Sequence, residues 1–185
     1  MKMKLIETKL TGCYIIQPRV FQDERGSFVK TFHQETFEKY KLETKYVEEV
    51  YSISHQNVLR GLHFQIPPHD HTKLVYCLFG RVIDAVVDLR VGSPTYGQYE
   101  TFELSQENAH ILYIPTGFAH GFYATSEKAI LVYNLSSIYA PNHDRGVRWD
   151  SVGISWPIGE TNPIISERDR AFLPFSEFES PFIYE

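Results

Sequence analysis

Along residues 82–90, VIDAVVDLR, apolar and polar positions alternate with a period of two. Ile83, Ala85, Val87 and Leu89 fall on one side of an extended chain and Asp84 and Asp88 on the other, the pattern of a β-strand. Residues 73–80, KLVYCLFG, repeat the rhythm, with Lys73, Val75 and Cys77 on a shared face. YIIQP, ILYIP and AILVYNLS predict further short strands, and DERG, VGSPTYG, PTG and APNHDRG predict the turns between strands. Helical spacing is scarce. HQETFEKYK (33–41) is long enough for two turns, and SERDRAF (166–172) opens with Ser-x-x-Asp, a capping-box-like start.

Many short strands separated by Gly/Pro turns predict an all-β barrel or jelly roll with a few short peripheral helices. Neither an internal repeat nor a linker interrupts the pattern. Residues 1–185 are therefore expected to form one domain, with a core over about 45–150 and N- and C-terminal segments packed around it. In such a barrel, inward side chains of neighbouring strands converge on one cavity. A polar group facing inward costs free energy unless it is partnered, so polar residues on inward faces are candidates for function.

Composition narrows the classes. The chain has 43% hydrophobic and 22% charged residues, a globular balance. Its net charge of −5 offers no bulk attraction to nucleic acid, so an anionic ligand must be met by a local basic cluster. No apolar run approaches the roughly 20 residues that cross a bilayer, and MKMKLIETKL lacks the apolar stretch of a signal peptide. Cys13 and Cys77 form neither a zinc spacing nor a disulfide framework. A cytoplasmic protein without nucleic-acid or membrane partners is expected.

The chemistry concentrates in VLRGLHFQIPPHDHTKLV, residues 58–75, with three histidines, an arginine and a lysine. A metal site is one reading. His69-Asp70-His71 followed by His120 in PTGFAH resembles the ligand spacing of metal-binding jelly rolls. The glutamate that should follow the pair is missing from TKLVYC, and Pro67-Pro68 points to a turn. Zinc or iron needs three convergent ligands. No metal is therefore expected, and His69 and His71 are read as solvated loop histidines. Proton transfer is the other reading. Deprotonation beside a ketone needs a base of near-neutral pKa, a donor to the enolate oxygen and an acid to return the proton. His63, Lys73 and Tyr133 lie in or beside predicted strands and have the right chemistry. On these residues alone, His63 could equally be a satisfied core histidine.

FQDERGSF, VLRGLHFQ, KLV, GSPTYG, LSQEN, IPTGFAHGFY, VYNLSSIYAP, ISWP and ISERDR follow one another in an order that resembles the nucleotide-sugar 3,5-epimerases, the dTDP-4-dehydrorhamnose 3,5-epimerase family of the cupin-like jelly-roll class. The likeness runs over about residues 5 to 175, and RGLHFQ with GFAHGF is specific to that family. It implies a cofactor-independent isomerase acting on a nucleoside-diphospho-4-keto-6-deoxysugar in rhamnose-type sugar biosynthesis. It also implies a homodimer whose N-terminal segments cross between subunits.

By the same resemblance, His63 is the base, Asp169 its orienting carboxylate, Tyr133 the acid and Lys73 the residue beside the carbonyl oxygen. Asp169 could also cap the helix at 166–172. Arg25 and Arg60 resemble anion contacts, His120 a sugar contact, and Tyr139, with Phe21, the aromatics at the nucleotide base. Asp84 is a further polar residue of the cavity. The chain departs from the family pattern at Lys30, where the family has Glu. Glu48-Glu49-Val50 replaces Gln-x-Asn, Asp144 replaces Glu, and Arg168 stands within SERD in place of SxKD. These changes fall in the substrate-binding set, which leaves the nucleotide and the sugar open. An acceptor-only Glu48 carboxylate would suit guanine or cytosine, and hence a GDP- or CDP-linked sugar such as a 4-keto-heptose for capsule or O-antigen. Epimerisation at one carbon only is a further variant. A metal-dependent cupin and a non-catalytic sugar-binding barrel are the competing classes.

Overall fold

The computed structural model describes residues 3–160 and 162–184. The strands are β1 (Lys4–Glu7), β2 (Tyr14–Gln17), β3 (Val20–Asp23), β4 (Gly26–Val29), β5 (Glu48–His55), β6 (Leu59–Gln65), β7 (Lys73–Phe79), β8 (Arg81–Asp88), β9 (Tyr99–Ser105), β10 (Ile111–Ile114), β11 (Phe118–Ala124), β12 (Lys128–Leu135) and β13 (Asp144–Gly146). Helices α1 (Gln34–Lys39) and α2 (Glu167–Arg170) are short. Both expected helices are present, and Ser166 caps α2 by accepting the Asp169 N–H.

The strands form two antiparallel sheets of a jelly roll. One has the order β1-β2-β10-β7-β12-β5 and the other β13-β6-β11-β8-β9. Hairpin β3–β4 pairs only with itself.

Three apolar layers hold this arrangement. Between the sheets lie Val75, Cys77, Leu112, Ile114 and Leu131 from one side and Val82, Val86, Phe102, Leu104 and Phe122 from the other. Outside the five-stranded sheet, Phe64, Ala85, Val87 and Leu89 pack under Val147, Trp156 and Phe182 of the C-terminal segment. Outside the six-stranded sheet, Leu74, Ile111 and Tyr113 pack under Phe37 of α1, with Met3 and Leu42. Each fully buried Leu or Phe contributes about 1.5–3 kcal/mol. The layering explains the alternation in β8: both of its sides are buried, and the side bearing the aspartates faces the barrel interior. The two aspartates part ways there. Asp88 binds Arg90, Ser93 and Thr95 and so clasps the VGSPTYG turn, whereas Asp84 belongs to the cavity.

One irregularity governs which side chains face that cavity. Strand β11 pairs with β6 as His120↔His63 and Phe122↔Arg60, so the register slips by one residue at Gly61-Leu62. In a regular strand Arg60 and His63, three apart, would face opposite ways; a one-residue bulge reverses the parity. Arg60, His63 and Gln65 therefore line the same cavity. The crossing needs two glycines. Gly61 has φ +129°, and a Cβ there would stand 2.5 Å from Gly121 Cα; a Cβ on Gly121 would stand 2.6 Å from the Arg60 carbonyl oxygen. Backbone atoms cannot move aside as a flexible side chain could. Gly61→Ala and Gly121→Ala are each expected to destabilise the fold by about 2–4 kcal/mol, read as a lowered urea midpoint at unchanged m-value.

Candidate active site

The cavity opens between the two sheets at one end of the barrel and is about 170 Å³ in volume. Strand β6 contributes Arg60, His63 and Gln65, β7 contributes Lys73, β11 contributes His120, and β12 contributes Tyr133. His71, Tyr139 and Asp144 reach it from the connecting loops and β13.

His63 Nε2 donates to Asp169 Oδ1 at 2.8 Å, while Asp169 Oδ2 accepts the Gly61 N–H at 3.0 Å. The carboxylate thus satisfies the amide at the bulge and orients the imidazole just beyond it. Burial works to raise the Asp169 pKa, but the His63 bond and charge, with the Gly61 and Ser166 bonds, outweigh it and hold the carboxyl below its ordinary value. Helix capping is left to Ser166, so the alternative role for Asp169 as a cap gives way to the His63 bond. The His63 ring also meets Phe172 edge-on at 5.7 Å. Gly146 makes room for Phe172, since a Cβ there would lie 2.3 Å from its ring.

A second histidine–carboxylate pair lies deeper. His120 Nε2 and Asp84 Oδ2 are 2.7 Å apart, with side chains 4% and 0% exposed. Asp84 is opposite Phe122 in the β8–β11 register, which puts it diagonal to His120. Burial drives the Asp84 pKa up and the His120 pKa down, with their mutual bond opposing both shifts. Lys73 is buried, and its Nζ donates to the His63 carbonyl at 3.1 Å. Desolvation lowers its pKa to about 8, against the pull of Asp144 and Asp84. The Tyr133 hydroxyl lies 3.4 Å from Ser52 Oγ, and burial pushes its pKa well above 10.

The remaining candidates fall into two groups. Arg60 is anchored by Ser54 Oγ at the cavity rim, and exposed Tyr139 is held through its N–H by the Glu48 carboxylate at 2.8 Å. Asp144 pairs with Arg168 at 2.6 Å. Glu48 itself lines a neighbouring groove with Glu49. Phe21 and Arg25 lie on the β3–β4 hairpin, where Arg25 pairs with Asp23, and they line a separate groove that shares no residue with the His63 cavity. Lys30, just past β4, lines neither.

The expectation that His71 is a solvated loop residue is corrected. His71 is half-buried on the cavity wall and bonded through Nδ1 to Gln65. His69, on the same loop, is also half-buried, its ring 4.6 Å from that of His143. Among the described residues no three His, Cys, Asp or Glu side chains converge as metal ligands. Gln65, the last residue of RGLHFQ and one to which the motif assigns no role, joins the wall to the loops through the His69 and Ile138 carbonyls, His71 Nδ1 and the Ala140 N–H.

The family model for dTDP-4-dehydrorhamnose 3,5-epimerase matches residues 7–177. The chain belongs to this family. A dTDP-4-dehydrorhamnose 3,5-epimerase of Methanothermobacter thermautotrophicus is 42% identical over 179 residues, 95% of this chain and 96% of the relative. The crystal structure of dTDP-6-deoxy-D-glucose-3,5-epimerase from Legionella pneumophila, in complex with dTDP-4-keto-L-rhamnose, superposes with a TM-score of 0.94 at 35% identity, covering 100% of both chains. A dTDP-4-dehydrorhamnose 3-epimerase of Streptomyces niveus is 36% identical over 95% of this chain and 85% of its own length. Membership makes the chain an isomerase, and the cupin-like jelly roll expected from the sequence is its fold. No helix among the described residues is long and apolar enough to cross a membrane.

A depressed lysine pKa predicts a pH signature. Lys73 near 8 in the fold and near 10.5 when unfolded means that the unfolded chain binds more protons between those values, so stability gains with rising pH in that window. Lys73→Met keeps the stem and lacks the titration. Its stability advantage over the parent is expected to be largest below pH 8 and to shrink by up to roughly 1.4 kcal/mol per pH unit toward pH 10.5, measured by urea denaturation of both proteins across that range.

Proposed function

We propose that this isomerase epimerises a dTDP-4-keto-6-deoxysugar at carbons 3 and 5 by proton transfer through an enolate. The observation that carries the reading is the meeting of His63–Asp169, Lys73 and Tyr133 on one cavity from two opposed sheets. With Nε2 donating to Asp169, the neutral imidazole keeps its lone pair on Nδ1, the atom assigned to take the proton from carbon 3 or 5. Both carbons flank the ketone at carbon 4. Negative charge from either deprotonation therefore collects on the same oxygen, which Lys73 as ammonium stabilises. Tyr133, kept protonated by burial, returns a proton from the opposite wall and is reprotonated from solvent, to which His63 releases the proton it took. His120, backed by Asp84, holds a sugar hydroxyl. No cofactor enters this scheme.

The names of the relatives support dTDP as the nucleotide. The Glu48 carboxylate is engaged by the Tyr139 N–H, which accounts for its position without a guanine or cytosine edge; a GDP- or CDP-linked sugar is the second choice. The 3-epimerase relative favours a narrower reading, inversion at carbon 3 alone, on the same residues.

The chain's own cavity, at about 170 Å³, is smaller than the typical ligand pocket of about 300–1,000 Å³. It suits the sugar and leaves the nucleotide to the rim. The β3–β4 hairpin offers Phe21, Arg25 and Lys30 away from its own cavity, and an isolated two-stranded hairpin is marginal without a surface to lie on. Both features support a homodimer in which each hairpin completes the other subunit's site.

In deuterated water the parent is expected to label carbons 3 and 5 of the dTDP-4-keto sugar, seen by NMR. Label at one carbon supports the narrower reading, and no label rejects the function. His63→Ala is expected to slow exchange by about 100- to 10,000-fold; near-normal exchange would remove His63 as the base. Tyr133→Phe is expected to slow epimerisation on a similar scale while deprotonation persists. Arg25→Ala is expected to raise the KM in a protein that sediments as a dimer, and a monomeric parent would overturn the shared site.

A further inference from the structure

The two ring nitrogens of His71 are not equivalent. Nδ1 lies 3.1 Å from Gln65 Nε2. The Gln65 amide is itself fixed by the backbone: its Oε1 accepts the Ala140 N–H at 2.6 Å, and its Nε2 donates to the carbonyls of His69 at 2.7 Å and Ile138 at 3.1 Å. A flipped amide would set oxygen against two carbonyls and NH₂ against an N–H. The group facing His71 Nδ1 is therefore a donor. The two Nε2 hydrogens of Gln65 meet three acceptors, so one of them is shared between a carbonyl and His71 Nδ1; an Nδ1–H would instead face another N–H, which favours the neutral imidazole with its proton on Nε2.

That Nε2–H is buried and has no partner among the described residues. A buried donor without an acceptor is costly, and native structures keep few of them. This one belongs to a side chain on the wall of the substrate cavity, beside Lys73, Tyr139 and Asp144. Burial and the neighbouring Lys73 charge press the His71 pKa down to about 3, so it stays neutral where the enzyme works. Its lone pair is spent on Gln65, so it does not compete with His63 as a base. What remains is a directed, uncharged N–H.

We infer that His71 is a specificity-determining donor to an acceptor oxygen of the bound nucleotide sugar, with Gln65 the positioning residue that sets its tautomer. The inference rests on the proposed epimerase reading for the identity of the ligand. Gln65 also holds Ile138 and Ala140, on either side of Tyr139. One amide thus links the state of His71 to the placement of the rim aromatic.

Long-range ¹⁵N–¹H correlation on the parent tests the tautomer directly. Expected is an imidazole protonated on Nε2 that does not titrate between pH 5 and 8, with the Nε2–H signal shifting when dTDP or the dTDP-4-keto sugar is added. A proton on Nδ1, or an Nε2–H that ignores both ligands, overturns the inference even if a variant fails to fold. His71→Phe is expected to raise the KM for the sugar nucleotide by about 5- to 50-fold with a smaller change in kcat, and His71→Gln, which retains an N–H donor, to recover most of it. Parallel weakening of dTDP binding assigns the acceptor to the diphosphate, whereas unaltered dTDP binding assigns it to the sugar. An unchanged KM in His71→Phe overturns the role. A parent that labels no carbon in deuterated water removes the epimerase reading separately, while the ¹⁵N experiment with dTDP still decides His71.

Discussion

Strands β6 and β11 cross at Gly61 and Gly121 with no space for a side chain on either, and the layout of the cavity depends on that contact. The register slip there turns Arg60 and His63 onto one face. It also frees the Gly61 N–H from the ladder, and the amide is satisfied by the same Asp169 carboxylate that holds His63. A buried amide must find an acceptor, so Asp169 serves the fold as well as the imidazole. His63, the Asp169 carboxylate bonded to it and the anion-contact candidate Arg60 are thereby tied to one backbone irregularity. A regular β6 would place Arg60 outside the cavity.

Two histidine–aspartate pairs lie along this wall, and their exposure separates their roles. The His63 side chain is 30% exposed, while His120 is 4% exposed with Asp84 wholly buried behind it. A group that cycles protons must exchange them with substrate or solvent, which suits His63. A sealed pair resists taking net charge, because burial raises the acid and lowers the base. Such a pair is better suited to hold a hydrogen bond in fixed geometry. Lys73 sits between these demands. Desolvation brings its pKa to about 8, still above neutrality, so it remains a cation at pH 7 that is poorly solvated by water. A cation in that condition gains most when negative charge develops beside it.

Much of this could be read from the sequence. Apolar patterning locates β2, β7, β8, β10 and β12, Ser166 the start of α2, and the RGLHFQ and GFAHGF motifs the wall of the cavity. Other features had no local signature. Period two separates two faces but does not say which is solvent, and Asp84 and Asp88, both fully buried, are told apart only by their partners. His71 was misplaced because Pro67-Pro68 and Asp70 signal an exposed turn. The loop is tied down by Gln65 at the end of the preceding strand, a side-chain contact that residue type does not reveal. Strand β13 was hidden within the turn-rich APNHDRG, and with it the Asp144–Arg168 pair that joins β13 to α2. The residue type of Glu48 does not reveal that its carboxylate supports a backbone N–H of the Tyr139 loop.

The jelly roll itself supplies what an epimerisation requires. Inverting a carbon means removing a proton on one face of the sugar and delivering one to the other, so acid and base must stand on opposite sides of a ring-sized gap. His63 lies on β6 of the five-stranded sheet and Tyr133 on β12 of the six-stranded sheet, and the two sheets face each other across the cavity. Their side chains therefore approach from opposed walls. Lys73, on β7 next to β12, is bonded to the His63 carbonyl across the same gap. In the proposed reaction that is a single cation for the one oxygen that both deprotonations charge. The choice between inverting one carbon and inverting two falls to whatever turns the sugar between the walls, and the side chains that grip the sugar, not the acid and base, control that rotation.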